Sequence, residues 1–250
     1  MIGRMEDVVA ELVPKLAELP GVRAVVLGGS RAQGAAGPDS DWDFGVYYRG
    51  TFEAERLGRL GHPAHVARPG EWGRIVNGGA WMSVFGQRVD VLLRDLDQVE
   101  RWWDDARDGR FEIDNVPGHL AGLPTYTVLG EVALAQVLTG ELPTVGFPAR
   151  LREVAEARWR WNGSFSLLHA DVHLRKGNTA GAVGMAAKAA METAHAVVAS
   201  RGVWVLNEKT LIGRAGLSEA DAILGEGDVA TALRRMRELL DPAGVAGLQR

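Results

Sequence analysis

Two aspartates, two residues apart in an otherwise apolar run, constrain this chain more than any other feature. Residues 41–46 read Asp-Trp-Asp-Phe-Gly-Val. Strand side chains alternate with period two. A strand here puts Asp41 and Asp43 on one face, and Trp42 and Phe44 on the other. Carboxylates side by side repel, and a divalent cation between them is the commonest remedy. Upstream, Val25-Val26-Leu27 reads as a buried strand that runs into the tight turn Gly28-Gly29-Ser30. Ser30 begins a short helical turn ending near Gly34, and Gly37-Pro38-Asp39 is read as a loop.

The rest of the first half surrounds this unit with short elements. Residues 5–19 carry Val8, Leu12, Leu16 and Leu19 at helical spacing, with Pro14 as a point where the helix could kink or break. Val22–Leu27 and Trp42–Arg49 are strands, and Phe52–Leu60 is a short helical segment. Residues 64–79 carry no clear pattern. Ala80–Phe85 and Arg88–Leu93 read as strands joined by a Gly86-Gln87 turn. In the last strand Val89, Val91 and Leu93 share one face, and Arg88, Asp90 and Leu92 the other. An aspartate in mid-strand needs a partner.

After about residue 95 the pattern turns helical. Helices are expected over 97–106, 128–138, 151–174 and 179–201, the third with a candidate interruption at Asn162-Gly163. Short helices follow at 208–214, 218–224 (with Ser218 as cap) and 229–240. The fold class expected is α+β: a mixed sheet with helices over 1–120, then a helical domain over 121–250.

Composition excludes several functions. The chain has 250 residues, no cysteine and a net charge of −4. Disulfides and thiolate metal sites are ruled out, and a cytoplasmic setting is expected. The N-terminus lacks a signal-peptide pattern, and no apolar run approaches the ~20 residues a membrane span needs. No basic run marks a grip on long nucleic acid. A mildly acidic protein suits a cationic small substrate instead.

The glycine turn, the Asp41-Trp42-Asp43 pair and the later strand aspartate resemble the nucleotidyltransferase superfamily typified by DNA polymerase beta. The resemblance covers about residues 22–94. Length and the helical second half are most similar to small-molecule members, which include aminoglycoside adenylyltransferases. The resemblance implies that Gly29 and Ser30 hold a triphosphate, and that Asp41, Asp43 and Asp90 bind two Mg2+ ions and serve catalysis. A glycine turn with exposed N–H groups suits a phosphate in its own right. A solvated surface loop is the competing reading of the same residues, but it leaves the strand alternation unexplained. A Walker A loop is excluded, because Gly34-Ala35-Ala36 stands where Gly-Lys-Ser/Thr would be needed.

Weaker candidates surround this set. Arg31 could touch a phosphate or lie in solvent. Lys188 could reach a triphosphate or pair with Glu192 four residues on. Lys209 could line a nucleotide pocket or sit at a helix junction. Glu131 and Asp114 are candidates for an acceptor-side base, against a plain surface role for each. His169 and His173 share a helix face but lack the glutamate of a zinc-protease motif. Trp102, Trp103, Trp159 and Trp161 read as core or interface residues.

The expected activity is Mg-dependent transfer of a nucleoside monophosphate from an NTP, ATP foremost, to a hydroxyl of a small acceptor such as an aminoglycoside-like antibiotic. Two alternatives stand beside it: a protein nucleotidylating enzyme of the toxin–antitoxin type, and an inactive nucleotide-binding regulator. Neither membrane nor long nucleic acid is an expected partner. Monomer and homodimer are both open.

Overall fold

The structure is a computed structural model that describes residues 3–37 and 40–241. Pro38 and Asp39, from the expected 37–39 loop, lie outside the described residues. In chain order the first elements are α1 (Gly3–Ala17), β1 (Val22–Leu27), α2 (Gly29–Ala32) and β2 (Trp42–Tyr48). A 3-10 turn (Ala54–Arg59) then leads to β3 (Ala64–Ala67), α3 (Gly73–Val76), β4 (Gly79–Val84), β5 (Gln87–Asp95) and α4 (Leu96–Arg107). The later elements are β6 (Ile113–Asp114), β7 (Leu123–Pro124), α5 (Thr127–Leu134), β8 (Gln136–Gly140), α6 (Ala149–Arg175), α7 (Thr179–Ser200), α8 (Leu211–Ala215), α9 (Glu219–Leu224) and α10 (Val229–Leu240). A mixed α+β region is thus followed by a helical part.

The chain forms two compact units, each built from two stretches. One holds residues up to Asp104 together with Pro124–Gly146; the other holds Asp105–Leu123 and the chain from Phe147 onward. A single boundary at 120 was expected. The chain instead returns to the first unit, because β8 pairs antiparallel with β1 and completes the sheet edge there. This also corrects the helix expected over 128–138. It stops at Leu134, Ala135 turns extended, and Val137 and Thr139 enter a strand that satisfies β1's outer hydrogen-bonding edge.

In the first unit, six strands run in the order β3-β4-β5-β2-β1-β8. β2 and β5 are parallel, and every other neighbouring pair is antiparallel. One face is the core. Val25 and Leu27, Trp42, Phe44 and Val46, and Val89, Val91 and Leu93 pack there with Val8, Leu12 and Leu16 of α1. Pro14 lies inside α1 without ending it. The β4–β5 turn is centred on Phe85-Gly86, both at positive φ, one residue earlier than expected. The unpatterned stretch 64–79 folds as β3 and α3.

In the second unit, α6 continues unbroken through Gly163. A Cβ there would lie 2.6 Å from Thr193 Oγ1 of α7, so the glycine permits close helix packing. Ser218 makes no side-chain cap to α9. Asp228 does cap α10, accepting from the Ala230 and Thr231 N–H groups.

Candidate functional site

The opposite face of the sheet carries the polar residues. In β2 and β5 the core side takes Trp42, Phe44, Val89 and Val91, which leaves Asp43 and Asp90 on the other side. The two aspartates are direct Cα partners across the parallel pair. Strands lie ~4.8 Å apart. Two carboxylate charges at roughly 5 Å repel by about 3 kcal/mol at an effective dielectric near 20, so a site that keeps both ionised needs positive charge close by.

The glycine turn closes on the same spot. Gly28 N–H donates to the Asp43 carbonyl at 2.7 Å. Gly29 has φ +59°, and a Cβ built on it would fall 1.8 Å from Asp43 Oδ2. Only glycine fits, for conformation and for space. Ser30 follows, half-buried. α2 is a single turn of four residues, so its macrodipole is small, and an anion would depend on local N–H groups instead.

Asp41 sits just before β2. Its Oδ1 is buried and accepts no hydrogen bond of normal geometry, although Arg88 Nε lies 2.6 Å away as an ion pair. Arg88 is two residues before Asp90 on the same side of β5. That spacing is its signal in the sequence. Arg31 turns back on its own loop. Its Nε donates to the Asp41 carbonyl at 3.0 Å and Nη2 to the Ser40 carbonyl at 2.5 Å, with the guanidinium 4.2 Å over the Trp42 ring. It braces the loop that presents Asp41.

Glu131 has another task. It forms a two-point pair with Arg94, at 2.6 Å and 2.8 Å. Arg94 is 4% exposed, and burial alone would lower its pKa. The Glu131 carboxylate outweighs burial and holds the charge. Of the two roles expected for Glu131, a base or a plain surface carboxylate, the structure shows neither: its oxygens are committed to a buried cation. Asp114 is half-buried in β6 of the second unit.

Lys188 and Lys209 belong to the second unit. Lys188 Nζ lies 3.9 Å from Glu192, and Glu192 accepts from the Ser166 hydroxyl at 2.6 Å. Lys209 is exposed, with its N–H donated to Asn207 Oδ1. His173 Nδ1 is 3.0 Å from Asn178 Nδ2, and His169 packs on Phe165. Trp159 is fully buried on His195, whereas Trp161 is exposed and stacks on Phe165.

A family model described as a nucleotidyltransferase domain matches residues 9–104. These residues belong to the nucleotidyltransferase domain family. The match spans β1 to β5 and so contains the glycine turn and all three aspartates. Among curated proteins, no sequence matches the chain. Among solved structures, the chain is similar to a nucleotidyltransferase-like protein from Exiguobacterium sibiricum 255-15, with 12% identity and a TM-score of 0.47 over 95% of this chain and 75% of that one.

Nucleotidyltransferase domains typically use divalent metal ions. Among the described residues, no three His, Asp or Glu side chains stand grouped as a ready-made metal cluster. The donor chemistry still fits such an ion. Asp41, Asp43 and Asp90 offer only hard carboxylate oxygens, Asp41 Oδ1 is buried without a normal hydrogen bond, and Gly29 leaves room at Asp43 Oδ2. Among the described residues, no helix is long and apolar enough to cross a membrane.

Proposed function

We propose that this chain transfers a nucleoside monophosphate from an NTP, with ATP the first candidate, to a hydroxyl of a small acceptor. The observation that carries the reading is the Asp43–Asp90 register beside the Gly28-Gly29 turn, within a nucleotidyltransferase domain. Gly29 and Ser30 bind and orient the triphosphate through backbone N–H groups and the Ser30 hydroxyl. Asp41, Asp43 and Asp90 would hold Mg2+, which when bound neutralises phosphate charge and favours the ionised acceptor hydroxyl. Arg31 keeps the Asp41 loop in position.

The acceptor oxygen forms a bond to the α-phosphorus, and the bond from that phosphorus to the bridging oxygen breaks. Pyrophosphate leaves with the electron pair, and an Asp90 carboxylate oxygen takes the hydroxyl proton. Labelled ATP and Mg2+, incubated with a panel of polar hydroxyl acceptors that includes aminoglycosides, test the reading. Labelled conjugate and pyrophosphate are expected, and both disappear in Asp43→Asn. No product with any triphosphate and any acceptor overturns it.

A further inference from the structure

The two aspartates are the middle of a longer row across the sheet. Gly28 bonds to Asp43, Asp43 pairs with Asp90, Asp90 with Trp81 of β4, and Trp81 with His65 of β3. Trp81 and His65 alternate with the core residues of their strands and stand on the aspartate side. Trp81 is 54% exposed. It stacks on Trp72 at 4.9 Å and on His65 at 5.4 Å, with the rings within 23° of parallel.

This column is held in advance. Trp72 comes from the loop between β3 and α3, which Asn77 ties to β5: Oδ1 accepts from Gly70 N–H, and Nδ2 donates to the Leu93 carbonyl, both at 3.0 Å. Trp72 also lies 3.1 Å from where a Cβ of Gly79 would stand. An exposed aromatic group built this firmly presents ring faces and edges suited to recognition.

We infer that the Trp72–Trp81–His65 column is the acceptor subsite, and that the acceptor is a ring-bearing alcohol whose ring packs at Trp81 while its hydroxyl reaches Asp90. The inference rests on the nucleotidyl-transfer reading. In-line displacement puts the attacking oxygen on the side of phosphorus opposite the leaving pyrophosphate. With the triphosphate at Gly29 and Ser30, the acceptor approaches from β4 and β3, where the column stands. Saturated and aromatic rings both present C–H groups that can pack against the exposed part of an indole.

Saturation-transfer NMR on the metal-free protein tests this with myo-inositol and methyl glucoside as saturated rings, benzyl alcohol as the aromatic ring, and sorbitol as the open-chain control. Transfer to at least one ring probe above sorbitol is expected. It should fall five-fold or more in Trp81→Ala and persist in Trp81→Phe. No preference for rings over sorbitol, or equal transfer in Trp81→Ala, overturns the inference. Calorimetric binding of Mg-ATP separates the two failures. It should be the same in wild type and Trp81→Ala. Its absence from wild type would sink the nucleotidyl-transfer reading, whereas the ring preference would still decide whether the column binds rings.

Discussion

A Cβ on Gly29 would stand 1.8 Å from Asp43 Oδ2, and the backbone there has φ +59°. The turn and the carboxylate occupy positions that exclude any side chain between them. The glycine therefore sets where Asp43 can point.

Gly29→Ala should reduce turnover much more than it reduces stability. A displacement of about 1 Å at a reacting group costs on the order of 100-fold in rate, whereas strain at one positive-φ position costs about 1 kcal/mol. Steady-state rates and urea midpoints measured side by side check this. Equal turnover in the variant would remove Asp43 from the chemistry.

Arg88 lies 2.6 Å from Asp41 and supplies positive charge beside a carboxylate we propose as a Mg2+ ligand. Arg88→Gln should therefore lower the Mg2+ concentration needed for half-maximal nucleotide binding by a few-fold. The pair is mostly exposed, so a small effect is expected. Titration of Mg2+ at fixed ATP reads it. A raised requirement would mean that Arg88 assists the nucleotide directly.

Arg94 of β5 and Glu131 of α5 form a buried ion pair. Glu131→Gln leaves a cation of 4% exposure without its counter-charge, at a cost of about 3–5 kcal/mol. The melting transition of the first unit should fall by roughly 10 °C. The double change Arg94→Met with Glu131→Leu should recover much of the loss, since it removes both charges. Calorimetry of the three proteins checks both statements.

His195 is fully buried against Trp159, 3.8 Å from Glu208 and in the field of His119. Burial pushes its pKa below the ordinary value, and Glu208 opposes this only in part. The unfolded chain then takes up a proton near pH 6.5 that the folded chain refuses. Stability from this group is present above about pH 6.5 and is lost as pH falls toward the folded pKa. Glu208 adds a separate loss at lower pH: burial would raise its pKa, but His195 and the N–H groups of Leu120 and Ala121 outweigh that and hold it down. Urea midpoints from pH 7.5 to 5.0 should fall in wild type and stay flatter in His195→Gln. Parallel slopes would rule His195 out.

Much of the candidate site was legible in the chain itself. Alternation in 41–47 and 88–93 assigned Asp43 and Asp90 to polar strand faces, because a buried sheet face tolerates only apolar side chains at every second residue. Arg88 and Trp81 obey the same alternation, but their meaning depends on which strands are neighbours. Residues 136–138, expected as the end of a helix, open β8 instead, since a short stretch of mixed pattern carries little local preference and the open edge of β1 decides its conformation. Neither role expected for Glu131, base or plain surface carboxylate, is its task, because a carboxylate on a helix does not reveal that a buried arginine 37 residues earlier claims it.

The sequence by itself determined the glycine turn, the faces of the strands and the class of residue at the site, all set by local sterics and by burial of alternate side chains. Tertiary structure alone decided that Asp43 meets Asp90, that Arg88 meets Asp41, and that Trp81 and His65 extend the same row with Trp72 stacked on Trp81. Strand order and register create those neighbours, and both depend on how the whole sheet closes on its core.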